Sequence, residues 1–173
     1  MCRLYLIAFV CVLLSCTGYK TTHYSTGGMF EKGRIVNGKK EGLWLSWHEN
    51  GEKLGEYHYK NGELNGIGKQ WFVNGKIQAL SKYKDGKLID TAKRYHSNGR
   101  LSEFAYYNNS GLQDGKFTIW HENGNIIQEG YYILGRKDSI CQTYYDNGKI
   151  KSVPGIRTEK NLRRPNEGNS VYF

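Results

Sequence analysis

Aromatic residues and turn glycines recur along this chain on a single beat. The glycines at 38, 51, 62, 75, 86, 99, 111, 124, 135 and 148 follow one another at intervals of 13, 11, 13, 11, 13, 12, 13, 11 and 13 residues. Thirteen plus eleven makes a unit of 24 residues, with one extra residue near Ser110. Trp47, Trp71, Tyr95, Trp120 and Tyr144 form one aromatic series on this beat, and Tyr59, Tyr83, Tyr107 and Tyr132 form a second. Fixed-period self-similarity is the signature of a repeat architecture, in which each unit buries its apolar surface only against its neighbours. The phase reaches back before Gly38, because Gly27, Met29, Gly33 and Ile35 occupy the places of Gly51, Lys53, Tyr57 and Tyr59. A half unit therefore starts near His23. Five full units follow it, and the array closes near Pro154, whose missing N–H cannot continue a ladder.

Each unit reads as strand, turn, strand, second turn. In Trp71-Phe72-Val73-Asn74-Gly75-Lys76-Ile77, a three-residue loop with Gly75 in the left-handed region pairs Trp71 with Ile77; a two-residue turn would pair Trp71 with Gln78. The three-residue register predicts Trp71, Ile77 and Tyr83 on one face, with Ala79 and Ser81 between them. Tyr95, Leu101 and Tyr107, and Trp120, Ile126 and Tyr132, follow the same rule, with Ala105 and Gly130 as small spacers. The expectation is one aromatic stripe acting as core, with Phe72, Leu80 and Phe104 among polar residues opposite. The second turn, through Asn61-Gly62 and on to Gly66, is expected as a wider reversal using two glycines four apart.

The stretch from Gly55 to Gly75, with its Tyr-x-Asn-Gly, Trp, Asn-Gly and Ile/Leu positions, resembles the MORN repeat (membrane occupation and recognition nexus), most closely its bacterial variant. The resemblance covers roughly residues 23–153. Asp90 and Ser139 replace the second glycine and Leu134 replaces the Asn, so looser turns are expected there. The resemblance implies an all-β fold: an elongated, twisted antiparallel sheet of repeated hairpins. It also implies binding or scaffolding rather than a fixed reaction, and some bacterial members of this repeat class are named antitoxins.

The N-terminus carries a different pattern. After Arg3, an apolar run from Leu4 to Leu14 leads into Leu13-Leu14-Ser15-Cys16. A run this short is the core of a signal peptide rather than a membrane span. A small residue followed by Cys resembles a lipoprotein processing site. The expected organisation is a signal at 1–15, a lipidated Cys16 with a linker to residue 22, the repeat domain at 23–153 and a basic tail at 154–173. Thr17 after Cys16, rather than Asp, points by the same resemblance to the outer membrane's periplasmic face. Removing the signal and acylating Cys16 leaves Cys141 as the lone thiol, which excludes an intrachain disulfide and a cysteine zinc site.

Composition agrees with short strands and tight turns: 14 Tyr and 22 Gly but only 2 Pro, with too many aromatics for a disordered chain. Charge is uneven. Residues 67–101 hold Lys69, Lys76, Lys82, Lys84, Lys87, Lys93, Arg94 and Arg100 against Asp85 and Asp90, eight minus two giving +6, whereas residues 43–66 sum to −2. This basic band is the candidate surface for an anionic partner. His48, His96 and His121 each follow a Trp or Tyr of the first series, and Trp-His-Glu-Asn-Gly occurs twice. Copies three units apart cannot converge on one substrate, so no catalytic residue is assigned, and no metal, cofactor or nucleic acid is expected. The functional expectation is a membrane-anchored, non-catalytic scaffold with a protein partner. A glycan or anionic-lipid binder and an antitoxin-like protein are the alternatives.

Overall fold

Asn-Gly and Asp-Gly pairs reverse this chain at intervals too short for anything but adjacent antiparallel strands. The computed structural model describes residues 17–152, which form one antiparallel sheet of thirteen strands. The strands are β1 (Thr17–His23), β2 (Met29–Val36), β3 (Lys39–Trp47), β4 (Lys53–Lys60), β5 (Glu63–Leu64), β6 (Gly66–Trp71), β7 (Ile77–Lys84), β8 (Lys87–Tyr95), β9 (Leu101–Tyr107), β10 (Gln113–Trp120), β11 (Ile126–Ile133), β12 (Arg136–Tyr144) and β13 (Ile150–Ser152). Each pairs with its chain neighbours, β5 lying beside β4 as the start of the strand that β6 continues. At about 4.8 Å per strand, the twelve consecutive strands span roughly 50 Å. The signal segment, Cys16 and the tail from 154 lie outside the described residues.

Two turn types alternate. The loop between β6 and β7 has the predicted three-residue form. Phe72 N–H donates to Lys76 O at 2.9 Å, Gly75 N–H donates to Phe72 O at 2.9 Å, Gly75 has φ +77°, and Trp71 pairs with Ile77. The other reversal is not wide. Asn37-Gly38, Asn61-Gly62, Asp85-Gly86 and Leu134-Gly135 are tight two-residue turns with positive φ at both positions, as a hairpin with right-twisted strands prefers. The second glycine of the motif instead forms a bulge inside the following strand: Gly33 pairs with Trp44 and Arg34 with Glu41, leaving Gly42 and Leu43 as extra residues. Asp90 holds φ +63° and keeps the bulge, and the register between β11 and β12 shifts at the same place. At Asp90 the bulge forms without a glycine, because a short polar side chain tolerates the left-handed region. The extra residue near Ser110 is absorbed by a three-residue loop at Asn108–Leu112 where the other units have two.

Residues 17–22 are strand rather than linker. β1 pairs with β2 from Thr17↔Val36 to His23↔Met29, so the expected half unit is a complete hairpin. Its Thr and Tyr suit a strand, and β2 gains a partner for its main chain.

One further irregularity sets the faces of the sheet. Gln70 pairs with Ala79 but Trp71 pairs with Ile77, so Gln78 is an extra residue. The same shift leaves Phe30, Leu54, Ser102, Ile127 and Lys151 extra in the other hairpins. Such a bulge reverses the alternation of side chains. The expected single stripe is therefore two stripes on opposite faces. Trp47, Trp71, Tyr95, Trp120 and Tyr144 lie on one face, and Tyr59, Tyr83, Tyr107 and Tyr132 on the other. All nine rings are half-buried.

The buried residues sit elsewhere. On the Tyr83 face, cross-strand pairing builds a row through Gly33, Trp44 and Tyr57, then Ser81, Ala92, Ala105, Phe117, Gly130 and Cys141. Trp44 is 3% exposed and Phe117 4%. A Cβ on Gly33 would lie 2.2 Å from the Trp44 ring, and one on Gly68 would lie 2.7 Å from Tyr57 and 2.9 Å from Tyr83. Missing side chains thus let rings lie flat on the sheet, which supplies a core to a structure that has only one layer.

Candidate functional site

The Trp71 face carries the charged groups best placed for a partner. Its central ladder runs Leu45, Glu56, Lys69, Leu80, Lys93, Phe104, Thr118, Glu129. Lys69, Lys82 and Lys93 surround an open groove floored by Ile67, Leu80 and Thr91, with Asp90 on its rim. Lys69 reaches Glu56 at 3.6 Å and Lys82 reaches Asp90 at 3.0 Å, while Lys93 has no ion pair among the described residues. Exposed Leu43, Ile67, Tyr106 and Tyr131 share this face. The face is therefore basic and apolar together.

Two carboxylates frame this region. The Lys53 hydrogen bond holds Glu56 below the ordinary carboxylate range, helped by the charges of Lys53 and Lys69 and opposed by partial burial. The Tyr144 hydroxyl, donating at 2.7 Å, does the same for Glu129. Both acids are thus held as anions, paired with basic or hydroxyl partners. On the Tyr83 face, burial pushes the Tyr57 phenol up to about 12, and Tyr59 and Tyr107 shift upward for the same reason.

The eight basic residues of the expected band do not form one surface. Only Lys69, Lys82 and Lys93 share the groove. Arg94 stands on the opposite face, 3.7 Å from Glu103. Lys84 and Lys87 pair across the tight turn at Asp85-Gly86. Lys76 and Arg100 serve the fold: Lys76 Nζ donates to Asn98 O at 2.9 Å and Arg100 Nη1 to Asn123 O at 2.6 Å, each tying its loop to the next. Position within the unit explains these two charges, which the sequence pattern alone left as part of the patch.

The histidines belong to the same lacing. His48 Nε2 lies 3.0 Å from Trp71 O, and His96 Nε2 2.9 Å from Trp120 O, each ring N–H donating to the carbonyl of the following unit. His121 Nε2 lies 2.9 Å from Asp146. Phe72 fills the equivalent place in the intervening unit. They are half-buried staples between neighbouring units. Asn74, Asn98 and Asn125 extend the lacing, their side-chain amides donating to Ser97 O, Glu122 O and Asp146 O. Cys141, the one cysteine among the described residues, is buried against Ala105 and Phe117.

Sequence reasoning missed Trp44 and Phe117, which lie off both stripes. It also missed a recess on the Tyr83 face lined by Gln70, Ser81, Tyr83, Ala92, Arg94 and Tyr107, among others. The run of small residues opposite one another in successive strands was the available signal, but it needs the bulged register to be seen.

Among the described residues, the open sheet of hairpins presents the same kind of surface unit after unit, which makes it a repeat-built surface. The family model described as "MORN repeat variant" matches residues 40–61, 113–133 and 137–153. Those three segments are MORN-variant repeats, and the units between them keep the same turns and bulges. Repeats of this kind form binding modules. No curated protein matches the chain. Among solved structures, it is similar to accessory secretory protein 1,2 and 3 of Streptococcus pneumoniae, at 15% identity and a TM-score of 0.34 over 53% of this chain and 17% of that one. It is also similar to a GtfA/B complex bound to UDP and GlcNAc, at 12% identity and a TM-score of 0.30 over 50% of this chain and 22% of that one. The chain thus aligns with less than a quarter of the length of either.

Proposed function

We propose that the protein is a non-catalytic binding module of the bacterial envelope, tethered through Cys16 at the outer membrane's periplasmic side, and that it scaffolds an acidic protein partner. The observation that carries this reading is the groove of the Trp71 face, where Lys69, Lys82 and Lys93 ring an apolar floor. Basic groups around an apolar centre give both steering and desolvated contact. The test is crosslinking and pull-down from membranes of cells making the intact chain. A stoichiometric envelope protein should be recovered, and should be lost with Lys69→Glu, Lys82→Glu and Lys93→Glu combined and at high salt. Recovery unaffected by the triple variant would overturn the assignment to this groove.

A second reading has its own observation. Exposed Leu43, Ile67, Tyr106 and Tyr131 beside lysines on one face match an anionic lipid or glycan surface, since such side chains bury apolar stems while their polar ends stay wet. Binding to anionic vesicles by the unlipidated chain, sensitive to the same triple variant and with no protein crosslinked, would favour it over the scaffold.

A further inference from the structure

The Tyr83 face breaks its own packing rule at one place. Trp44 and Tyr57 on one side, and Phe117 on the other, fill the row of small residues, and the Tyr57 and Tyr83 rings close over Gly68, but the next two positions of the row, Ser81 and Ala92, are small and line an opening. A recess of about 100 Å³ remains, well above the roughly 10–15 Å³ that admits one water. Its two walls differ in chemistry. Tyr57, Tyr83, Leu88 and Tyr107 form an aromatic and aliphatic wall; Gln70, Arg94 and Glu103 form a wall of planar polar groups. Arg94 and Glu103 lie 3.7 Å apart and cancel each other's charge, and both remain partly exposed, at 71% and 40% for their side chains.

We propose that this recess is a binding site for a neutral, hydroxyl-rich ring, a single pyranose unit of a glycan. Such a ring has an apolar C–H face that packs on aromatic side chains and an equatorial rim of hydroxyls that both donate and accept. The polar wall offers both: Gln70 donates and accepts, Arg94 donates and Glu103 accepts. Charge balance disfavours a carboxylate or phosphate, which would have to displace Glu103 from Arg94. The site is on the opposite face from the lysine groove, so it stands or falls independently of the function proposed above.

The test is titration of the full chain, followed by amide and tyrosine NMR signals, with maltotriose, cellotriose and tri-N-acetylchitotriose as neutral probes and succinate as an anionic one. At least one trisaccharide should move the signals of Ser81, Ala92 and Tyr107 at millimolar concentration, with little dependence on salt. Ala92→Leu, which fills the recess, should abolish the shifts. Arg94→Gln, at an exposed position whose loss leaves the packing intact, should weaken binding about 5-fold or more, even if the leucine variant does not fold. The proposal is overturned if no trisaccharide moves these signals, if succinate alone does, or if saccharide binding is unchanged in Arg94→Gln.

Discussion

At the residue scale, glycines and rings work as pairs. Trp44 is buried because Gly33 has no side chain, whereas Trp71 is half-buried with the Lys53 ammonium 4.7 Å from its ring. Trp44→Ala should therefore cost about 3–5 kcal/mol in denaturant unfolding, the range for a fully buried ring, and Trp71→Ala distinctly less. Equal losses would mean that the two faces are covered alike. Tyr57 gives a pH dependence. Its phenol ionises near pH 10 in the unfolded chain and at about 12 in the folded one. Below pH 10 both states hold the proton and its contribution is complete. Between 10 and 12 the unfolded state loses the proton first, so stability falls as pH rises. Tyr59 and Tyr107 act in the same direction. Unfolding free energies measured across this window should decline, and Tyr57→Phe should flatten the decline.

At the scale of the element, the hairpin is decided by two or three backbone torsions. Leu134 holds φ +48° in a tight turn where its counterparts are Asn37, Asn61 and Asp85, and its side chain is largely exposed. A leucine there is strained and gains little from packing. Leu134→Asn should raise stability by about 1 kcal/mol in thermal or denaturant melts. Much of this level was legible in the sequence. Asn-Gly and Asp-Gly carry a strong local preference, so the turns, the 24-residue beat and the Trp71↔Ile77 register could be read directly. The bulge one residue later could not. Phe30, Leu54, Gln78, Ser102, Ile127 and Lys151 share no chemistry, because the bulge is imposed by the ladder around it and not by the residue that occupies it. Missing it merged two stripes into one and hid Trp44 and Phe117 as core.

At the scale of the whole molecule, the sheet is a one-dimensional chain of nearest-neighbour contacts. Excising residues 47–70, which joins Ser46 to Trp71 in phase, should leave a folded protein with a lower melting temperature, while excising 46–70 should not fold, because one residue out of phase turns each side chain to the other face. Circular dichroism of the two deletions distinguishes these outcomes. Along the tight-turn margin, Gly62 N–H donates to Lys40 O, Gly86 N–H to Leu64 O and Gly135 N–H to Gln113 O, each stitching one turn to the strand before it. The loop at Asn108–Leu112 drops this stitch, since Gly111 N–H donates within its own loop to Asn108 O. One inserted residue has thus cut a seam at a single point of an otherwise continuous hem. Hydrogen exchange should find that point first, with the amides around Gly111 opening ahead of those at Gly62, Gly86 and Gly135. The sheet then has a preferred line along which to bend, and that line runs beside Tyr107.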